Sequence, residues 1–345
     1  PFVKGQSAPF MTFNRNKRSL TLNLKSPGGQ EIALKLADRA DVFLENMKPG
    51  TASRLGLGYE AVSQRNPRII YCSISGFGQT GPLRERGGFD LIAQGMSGLM
   101  SVNGEEDGQP LRVPPPIGDI GAGMFATIGI LAALAARAQT GRGQWVDTSL
   151  LEAPIAFAVY EAATYLATGE VPPRLGPAHR TSAPYQAFRT KDGWITVGVA
   201  TQHFWLRFCR LLGQEPLATD PRFATNADRV SRRKELVTLL QELLERESSA
   251  YWLDRLEAEG IPAGPINTYD QVFADPQVLS RQMVAEVEHP AARLTRTLGI
   301  PIKLSDTAGA IRRPAPLLGQ HATEVLGELG YSPAEQERLR ASGVT

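Results

Sequence analysis

An uncharged segment, residues 120–136, constrains the fold of this chain more than any other feature. None of its 17 residues is ionisable, and the acid Asp119 stands directly before it. A helix that is apolar on every side is either buried in a core or crosses a membrane. The segment lies mid-chain and is slightly shorter than the roughly 20 apolar residues that span a bilayer. We therefore expect a buried core helix.

Length and composition indicate a globular protein of about two domains, on a prior of roughly 150 residues each. Hydrophobic residues make up 42%, and the 37 basic and 35 acidic residues nearly cancel. No long basic block points to nucleic acid, although a phosphorylated small molecule needs only a few local cations. Cys72 and Cys209 lie far apart in apolar contexts, which predicts two buried thiols in a reducing compartment. No signal peptide is visible, so we expect a cytoplasmic protein.

The first half of the chain alternates between strand and helix patterns. Residues 20–25 and 41–47 read as strands, and residues 68–78 form an apolar run typical of a buried parallel strand. Pro27 marks the start of the helix between the first two strands. Such an alternation predicts an α/β fold with a parallel sheet.

The second half of the chain has a different sequence pattern. Residues 188–200 predict a β-hairpin with Asp192 and Gly193 in its turn, and amphipathic helices follow. We predict a large domain at residues 1–170, a linker at 171–183 and a smaller α+β domain at 184–286. Residues 287–345 then form a second linker and return to the large domain.

Asp119 has a simple structural interpretation as the N-cap of the apolar helix. It also has a functional one, because a carboxylate held ionised at a helix N-terminus can act as a nucleophile. The glycines around it, Gly118, Gly121 and Gly123, do not have the spacing of a dinucleotide-binding fingerprint, and no strand precedes them. A nicotinamide-dependent dehydrogenase is therefore disfavoured.

Basic residues recur at strand ends and in the loops that follow strands. Each alone is most simply a solvated surface residue, but together they could bind phosphates where open α/β sheets bind ligands. The set consists of Arg15, Lys17, Arg18, Lys25, Lys48, Arg54 and Arg86.

Several segments together resemble one family. They include "NRNKRSLTLNLKSPGG", "ADVFLENMKPG", "NPRIIYCSISGFGQTGP", "GGFDLIAQGMSGLM", "IGDIGAGMF", "TGRGQWVDTSLLE", "GIPAGPIN" and "APLLGQH". From about Asn14 to the C-terminus the chain is similar to the class III CoA-transferases, which include formyl-CoA and carnitine CoA-transferases. Its motifs are most similar to those of the succinate–hydroxymethylglutarate CoA-transferases.

The resemblance implies an enzyme in which Asp119 attacks the thioester of an acyl-CoA. A mixed anhydride and then an aspartyl-CoA thioester would form on Asp119, and a free acid would take over the CoA. Coenzyme A enters as a substrate, and no metal or redox cofactor is implied. The expected acceptor is a dicarboxylate such as succinate or glutarate.

The resemblance also implies the binding residues. The predicted CoA contacts are Leu22, Asn23, Leu24, Lys25, Asn46, Met47, Lys48, Arg54 and Arg86. Asp90 would lie near the acyl end. His179 and Arg180 lie in the segment "GPAHRTSAPYQ", which stands where formyl-CoA transferase has a glycine-rich loop. Arg180 is either a solvent-facing linker arginine or, in our hypothesis, the residue that binds the distal carboxylate of the acceptor.

Members of the family form interlocked homodimers with a Rossmann-like large domain. They also carry a strand and a helix of about fifty residues before the segment that matches "NRNKRS", so the resemblance implies that this part is missing here. Beyond acyl-CoA, a small acid and a second copy of the chain, neither nucleic acid nor a membrane is expected as a partner.

Two alternatives stay open. Acyl-CoA racemases share the fold, but their second acid/base histidine would fall at Phe89, which cannot move a proton. An inactive chain that binds acyl-CoA without turnover is the other alternative.

Overall fold

The structure is a computed structural model that describes residues 1–345. Its strands are β1 (Phe2–Val3), β2 (Gln6–Ser7), β3 (Val42–Glu45), β4 (Ile70–Ser75), β5 (Trp145–Ser149), β6 (Tyr185–Arg189), β7 (Trp194–Gly198), β8 (Ala263–Pro265), β9 (Val284–His289) and β10 (Arg293–Leu298).

The helices of the first half are α1 (Ala8–Phe13), α2 (Pro27–Arg39), α3 (Thr51–Arg54), α4 (Tyr59–Arg65), α5 (Asp90–Met96), α6 (Leu99–Val102), α7 (Ile117–Thr140), α8 (Glu152–Phe157) and α9 (Val159–Thr168). Those of the second half are α10 (Gln202–Leu211), α11 (Glu215–Thr219), α12 (Asn226–Ser231), α13 (Arg233–Leu244), α14 (Ser249–Ala258), α15 (Tyr269–Ala274), α16 (Pro276–Ser280), α17 (Ala322–Glu328) and α18 (Pro333–Ala341).

The chain divides into two compact units. Unit 1 comprises residues 1–87, 122–149 and 268–345, and unit 2 comprises residues 88–121 and 150–267. The boundaries cross helix α7, whose first turn belongs to unit 2 and whose remainder belongs to unit 1.

Unit 1 contains a three-stranded parallel sheet in the order β3-β4-β5. Nearly every residue of β4 is buried, as expected for the central strand of a sheet covered on both faces. Tyr71 of β4 stacks on Phe43 of β3 with ring centroids 5.0 Å apart, and its hydroxyl donates to the carbonyl of Leu57. The predicted parallel sheet and α/β class are confirmed.

Helix α2 begins where the sequence predicts. The Ser26 hydroxyl accepts a hydrogen bond from the backbone N–H of Gly29 at 3.1 Å, and Pro27 occupies the first helical position, where no N–H is needed. The predicted strand at residues 20–25 is wrong. The backbone N–H of Asn23 donates to Val344 at the far end of the chain, so the segment runs beside the C-terminus instead of joining the sheet.

Unit 2 contains an antiparallel sheet in the order β6-β7-β8. Strands β6 and β7 form the predicted hairpin. Helices α10, α13 and α14 contribute fully buried side chains to the core beside this sheet, among them Trp205, Leu240 and Leu256. Both cysteines are buried and unpaired, as predicted, and burial raises the pKa of the Cys209 thiol to about 12.

Helix α7 contains the whole uncharged segment, but the prediction that it is buried is wrong for the single chain. Only 28% of its most apolar part is buried, while Met124, Ile128 and Leu131 are each more than half exposed. The helix is long and apolar enough to cross a membrane, a test that core helices of soluble proteins also pass.

Candidate active site

Asp119 is the third residue of α7, so its interpretation as the N-cap is wrong. It lies in the first turn, where unpaired backbone N–H groups and the helix dipole favour a negative charge. The residue is exposed, and no protein group donates a hydrogen bond to its carboxylate. Desolvation by its surroundings, and next the charge of Asp90, raise the pKa of Asp119 above its usual value.

Gly121 allows helix α8 to pack closely against this first turn. A Cβ at Gly121 would come within 2.6 Å of the Phe157 ring and 3.0 Å of the Ala153 side chain. Only glycine permits that approach, so the first turn of α7 is held against an apolar surface.

The predicted substrate residue Asp90 lies beside Asp119, at the start of α5. Its side chain is buried, and both carboxylate oxygens accept hydrogen bonds at 2.8 Å, one from the backbone N–H of Gly118 and one from Nε2 of Gln94. Asp90 thus lies next to the first turn of α7, which carries Asp119. The protein itself occupies both oxygens of Asp90.

The first group of predicted CoA residues, Leu22 to Lys25, forms the turn that leads into α2. The Asn23 side chain accepts from the backbone N–H of Lys25 at 3.1 Å, and the Leu24 carbonyl accepts from Gln30 at 3.1 Å. Leu22 packs into a small apolar cluster around Ile32, whereas the Lys25 side chain is exposed. One cation of this turn is therefore accessible to a ligand.

The second group, Asn46 to Lys48, follows the carboxyl end of β3. The Met47 N–H donates to the buried Glu45 carboxylate at 2.7 Å, which fixes the turn and leaves the Lys48 side chain exposed. Arg54 lies on α3 and donates to the Thr51 hydroxyl at 2.8 Å. This edge is where open α/β sheets bind ligands.

Arg86 lies in the loop after β4. Its guanidinium lies 5.6 Å from the centre of the Phe77 ring. The same loop is fixed to β5, because the Asp147 carboxylate accepts a hydrogen bond from the backbone N–H of Gln79 at 3.0 Å. Asp147 is thus a residue of strand β5.

His179 and Arg180 belong to unit 2, in the segment between α9 and β6. His179 lies between the rings of Tyr160 and Tyr185, with centroids 5.2 and 4.9 Å away, and its Nδ1 accepts from the backbone N–H of Thr181. Nε of Arg180 donates to Glu161 at 3.1 Å and its Nη2 donates to the carbonyl of Pro173 at 3.0 Å.

The sequence did not predict two residues that contact site residues. Gln94 is fully buried and contacts Asp90 one helical turn away; its spacing of four residues from Asp90 was the available signal. Glu161 pairs with Arg180 across 19 positions, and no local pattern indicates it. No group of three or more His, Cys, Asp or Glu side chains is arranged to hold a metal ion.

An exposed aspartate in the first turn of an apolar helix, together with cations at the carboxyl edge of a parallel sheet, fits an enzyme that handles an acyl-CoA. Residues 1–322 match CoA-transferase family III, so the chain belongs to this family and is a CoA-transferase.

Its relatives carry more specific names. The chain is 42% identical to a mouse succinyl-CoA:glutarate CoA-transferase over 345 residues, which is 100% of this chain and 79% of the mouse protein. It is 38% identical to a succinate–glutarate CoA-transferase of Agrobacterium fabrum, over 95% of this chain and 84% of that protein. The crystal structure of a CAIB/BAIF family protein from Brucella suis matches with a TM-score of 0.82 and 38% identity, covering 95% of this chain and 86% of that one.

Proposed function

We propose that this enzyme moves CoA from an acyl-CoA to a free dicarboxylic acid such as succinate or glutarate, with Asp119 as the nucleophile. The observation that carries the proposal is the position of the Asp119 carboxylate, which is exposed in the first turn of α7 and lies beside the buried Asp90. An exposed carboxylate can reach a substrate, and desolvation and the charge of Asp90 raise the pKa of Asp119.

In the first step an oxygen of Asp119 attacks the thioester carbon. A new O–C bond forms, the C–S bond breaks, and the CoA thiolate leaves with the bonding electrons, which gives a mixed anhydride. The thiolate then attacks the carbonyl carbon of Asp119, so that the donor acid leaves as a carboxylate and Asp119 carries CoA as a thioester. The acceptor acid reverses both steps.

We propose that unit 1 supplies the CoA contacts. Three exposed cations support this assignment: Lys48 behind β3, Arg54 on α3 and Arg86 against Phe77. Local contacts position the last two. Guanidinium and ammonium groups suit phosphate oxygens. The turn at residues 22–25 adds Lys25 and backbone groups beside the start of α2.

We assign recognition of the acceptor acid to the segment between α9 and β6. Two N–H donors of Arg180 are engaged by Glu161 and Pro173, which fixes the guanidinium and leaves Nη1 for an incoming carboxylate. His179, held between two tyrosine rings, lies next to it. The names of the mouse and Agrobacterium relatives, which refer to glutarate, support a dicarboxylate.

We further propose a homodimer, in which a second copy covers the apolar stripe of α7 and no membrane is involved. Met124, Ile128 and Leu131 follow one another at helical spacing and are exposed in the single chain. Ile128→Asp should therefore shift the protein toward monomer in light scattering, whereas Thr238→Asp, at an exposed position of α13, should leave the oligomer intact. A wild-type chain that is monomeric at micromolar concentration would contradict this proposal.

The Rossmann-like interlocked architecture, the domain boundaries drawn from the sequence and the cytoplasmic location stay predictions. The proposed reaction requires neither a metal nor a redox cofactor. Nothing in the site favours the isomerase alternative, since Phe89 at the expected histidine position is 80% exposed and carries no transferable proton. An inactive binding chain does not agree with membership of a family of CoA-transferases.

The experiment that tests the function offers succinyl-CoA with a panel of free acids and detects each new acyl-CoA by mass spectrometry. The expected result is transfer to a short dicarboxylate that disappears in Asp119→Asn. The matched control is Asp254→Asn, which removes an exposed carboxylate from α14. Transfer that survives in Asp119→Asn would overturn the role of Asp119.

A further inference from the structure

A buried polar network underlies the start of α7. Asp90 is 9% exposed and Gln94 is fully buried, and the two side chains are hydrogen-bonded to each other at 2.8 Å on helix α5. Polar groups this deep need partners, because an unsatisfied buried polar atom is costly. All four terminal atoms of these two side chains have such partners.

Gln94 fixes the segment that leads into α7. Its Oε1 accepts from the backbone N–H of Val113 at 2.8 Å, and its Nε2 donates to the Val113 carbonyl at 3.1 Å. The other oxygen of Asp90 accepts from the backbone N–H of Gly118 at 2.8 Å. Hydrogen bonds from α5 therefore fix both ends of the proline-rich segment, residues 113–118, that directly precedes Asp119.

Gly118 makes this close contact feasible. A Cβ at this position would come within 3.2 Å of the Asp90 carboxylate and 3.3 Å of the Leu150 carbonyl. The carboxylate of Asp90 and the carbonyl of Leu150 thus both lie close to the backbone directly before Asp119. Its N–H points at Asp90 and not at the side chain of Asp119.

We propose that Asp90, supported by Gln94, is a positioning residue for the nucleophile, which fixes the backbone that carries Asp119 and keeps a negative charge beside it. The inference rests on the proposed function, in which Asp119 is acylated. It differs from the predicted contact of Asp90 with the acyl group, because both oxygens of Asp90 already accept hydrogen bonds from the protein.

The negative charge of Asp90 affects the chemistry because the charge on Asp119 changes during the reaction. When Asp119 attacks the thioester its negative charge leaves with the CoA thiolate, so the repulsion between the two carboxylates ends. Asp90 neither gains nor loses a proton in this step. Its charge therefore favours every state in which Asp119 is an anhydride or a thioester over the free carboxylate, and this fits the raised pKa of Asp119.

A purely structural role makes a different prediction. If Asp90 only accepts hydrogen bonds, Asp90→Asn keeps the acceptor for the Gly118 N–H and loses the one for Nε2 of Gln94, and Gln94→Leu, which removes that same contact, should have at least as large an effect. If the charge matters, Asp90→Asn weakens Asp119 as a nucleophile and shifts its acylation equilibrium further than Gln94→Leu does. Comparing the two variants thus separates the charge of Asp90 from its role as an acceptor.

The test uses the full chain with a fixed ratio of succinyl-CoA to succinate. Intact-mass spectrometry after acid quenching gives the fraction of protein that carries CoA as a thioester, and steady-state assays give kcat and the KM for succinyl-CoA. We expect Asp90→Asn to lower the ratio of thioester to free enzyme about fivefold and kcat about tenfold, with KM changed less than about threefold. Asp254→Asn serves as the charge control and should match the wild type.

A thioester ratio and kcat within about twofold of the wild type in Asp90→Asn would overturn the inference while leaving the proposed function intact. Activity that persists in Asp119→Asn would instead overturn the proposed function. Asp90→Ser is the second variant, because it removes the charge and its smaller side chain leaves room for water beside Gly118 and Gln94. If neither variant melts cooperatively, Asp90 is a residue of the fold and the inference is wrong.

Discussion

Nε of Arg180 donates to the Glu161 carboxylate at 3.1 Å, and both side chains are largely withdrawn from solvent, with 13% and 28% of their surface exposed. An ion pair at this depth is more than a solvated surface contact, because loss of one partner leaves the other charge poorly solvated. The pair orients the guanidinium that we assign to the acceptor carboxylate.

Arg180→Ala should therefore raise the KM for succinate or glutarate about tenfold, the effect of one lost charge-assisted hydrogen bond. The KM for the acyl-CoA donor should change little. Arg189→Ala, at an exposed arginine of β6, is the matched control. An unchanged KM for dicarboxylates in Arg180→Ala would remove this residue from acceptor recognition.

Arg86 offers a test of the CoA contacts. Arg86→Ala should raise the KM for succinyl-CoA about tenfold without a matching loss of kcat, because a contact with a phosphate is made equally in ground and transition states. Arg84→Ala, in the same loop but paired with the exposed Glu85, should stay within about twofold of the wild type. Equal increases in the KM for succinyl-CoA in the two variants would indicate that only the positive charge of the loop matters, and not a specific contact of Arg86.

Helix α7 is packed on the sheet through Gly129. A Cβ there would come within 2.7 Å of the Val146 side chain, whereas nothing lies within 4 Å of the Cβ position at Gly123 on the same helix. Gly129→Ala should cost about 1–3 kcal/mol of unfolding free energy relative to Gly123→Ala, because overpacking opposes the equal gain in helix propensity. Chemical denaturation of the two variants measures this difference, and equal stabilities would show that the contact is loose.

The raised pKa of Asp119 predicts how stability depends on pH. An acid with a raised pKa in the folded state binds its proton more tightly there, and the stability this provides is lost as the pH rises through that pKa. Asp119→Asn, which is neutral throughout, should therefore melt at a higher temperature than the wild type at pH 7. The gap should close as the pH falls below the ordinary aspartate value. A variant less stable at pH 7 would indicate that the ionised carboxylate stabilises the fold.

Local signals predicted the elements whose contacts are local. The start of α2 was predictable because Ser26 and Pro27 satisfy its first turn by themselves, and the strands β3 and β4 because their apolar runs are bounded by glycine and polar residues. The segment at residues 20–25 was not, because its backbone partner is Val344.

At the site, too, the sequence could not predict contacts between residues that are far apart along the chain. Asp119 was predicted as the cap of α7, and this is wrong because the helix begins two residues earlier, where the N–H of Gly118 is satisfied by Asp90, 28 positions earlier. The exposure of α7 was equally beyond the sequence, since apolar composition predicts that a face is covered and not what covers it. Glu161 was missed because its partnership with Arg180 depends on how the chain returns after α9.

The most direct test of the account is to locate the covalent intermediate. The enzyme is incubated with succinyl-CoA alone, quenched in acid and digested, and the peptide that has gained CoA is sequenced by mass spectrometry. The account predicts a thioester on Asp119, absent from Asp119→Asn and present in Asp254→Asn. Efficient transfer of CoA to dicarboxylates with no adduct on Asp119, or with an adduct on another residue, would contradict it.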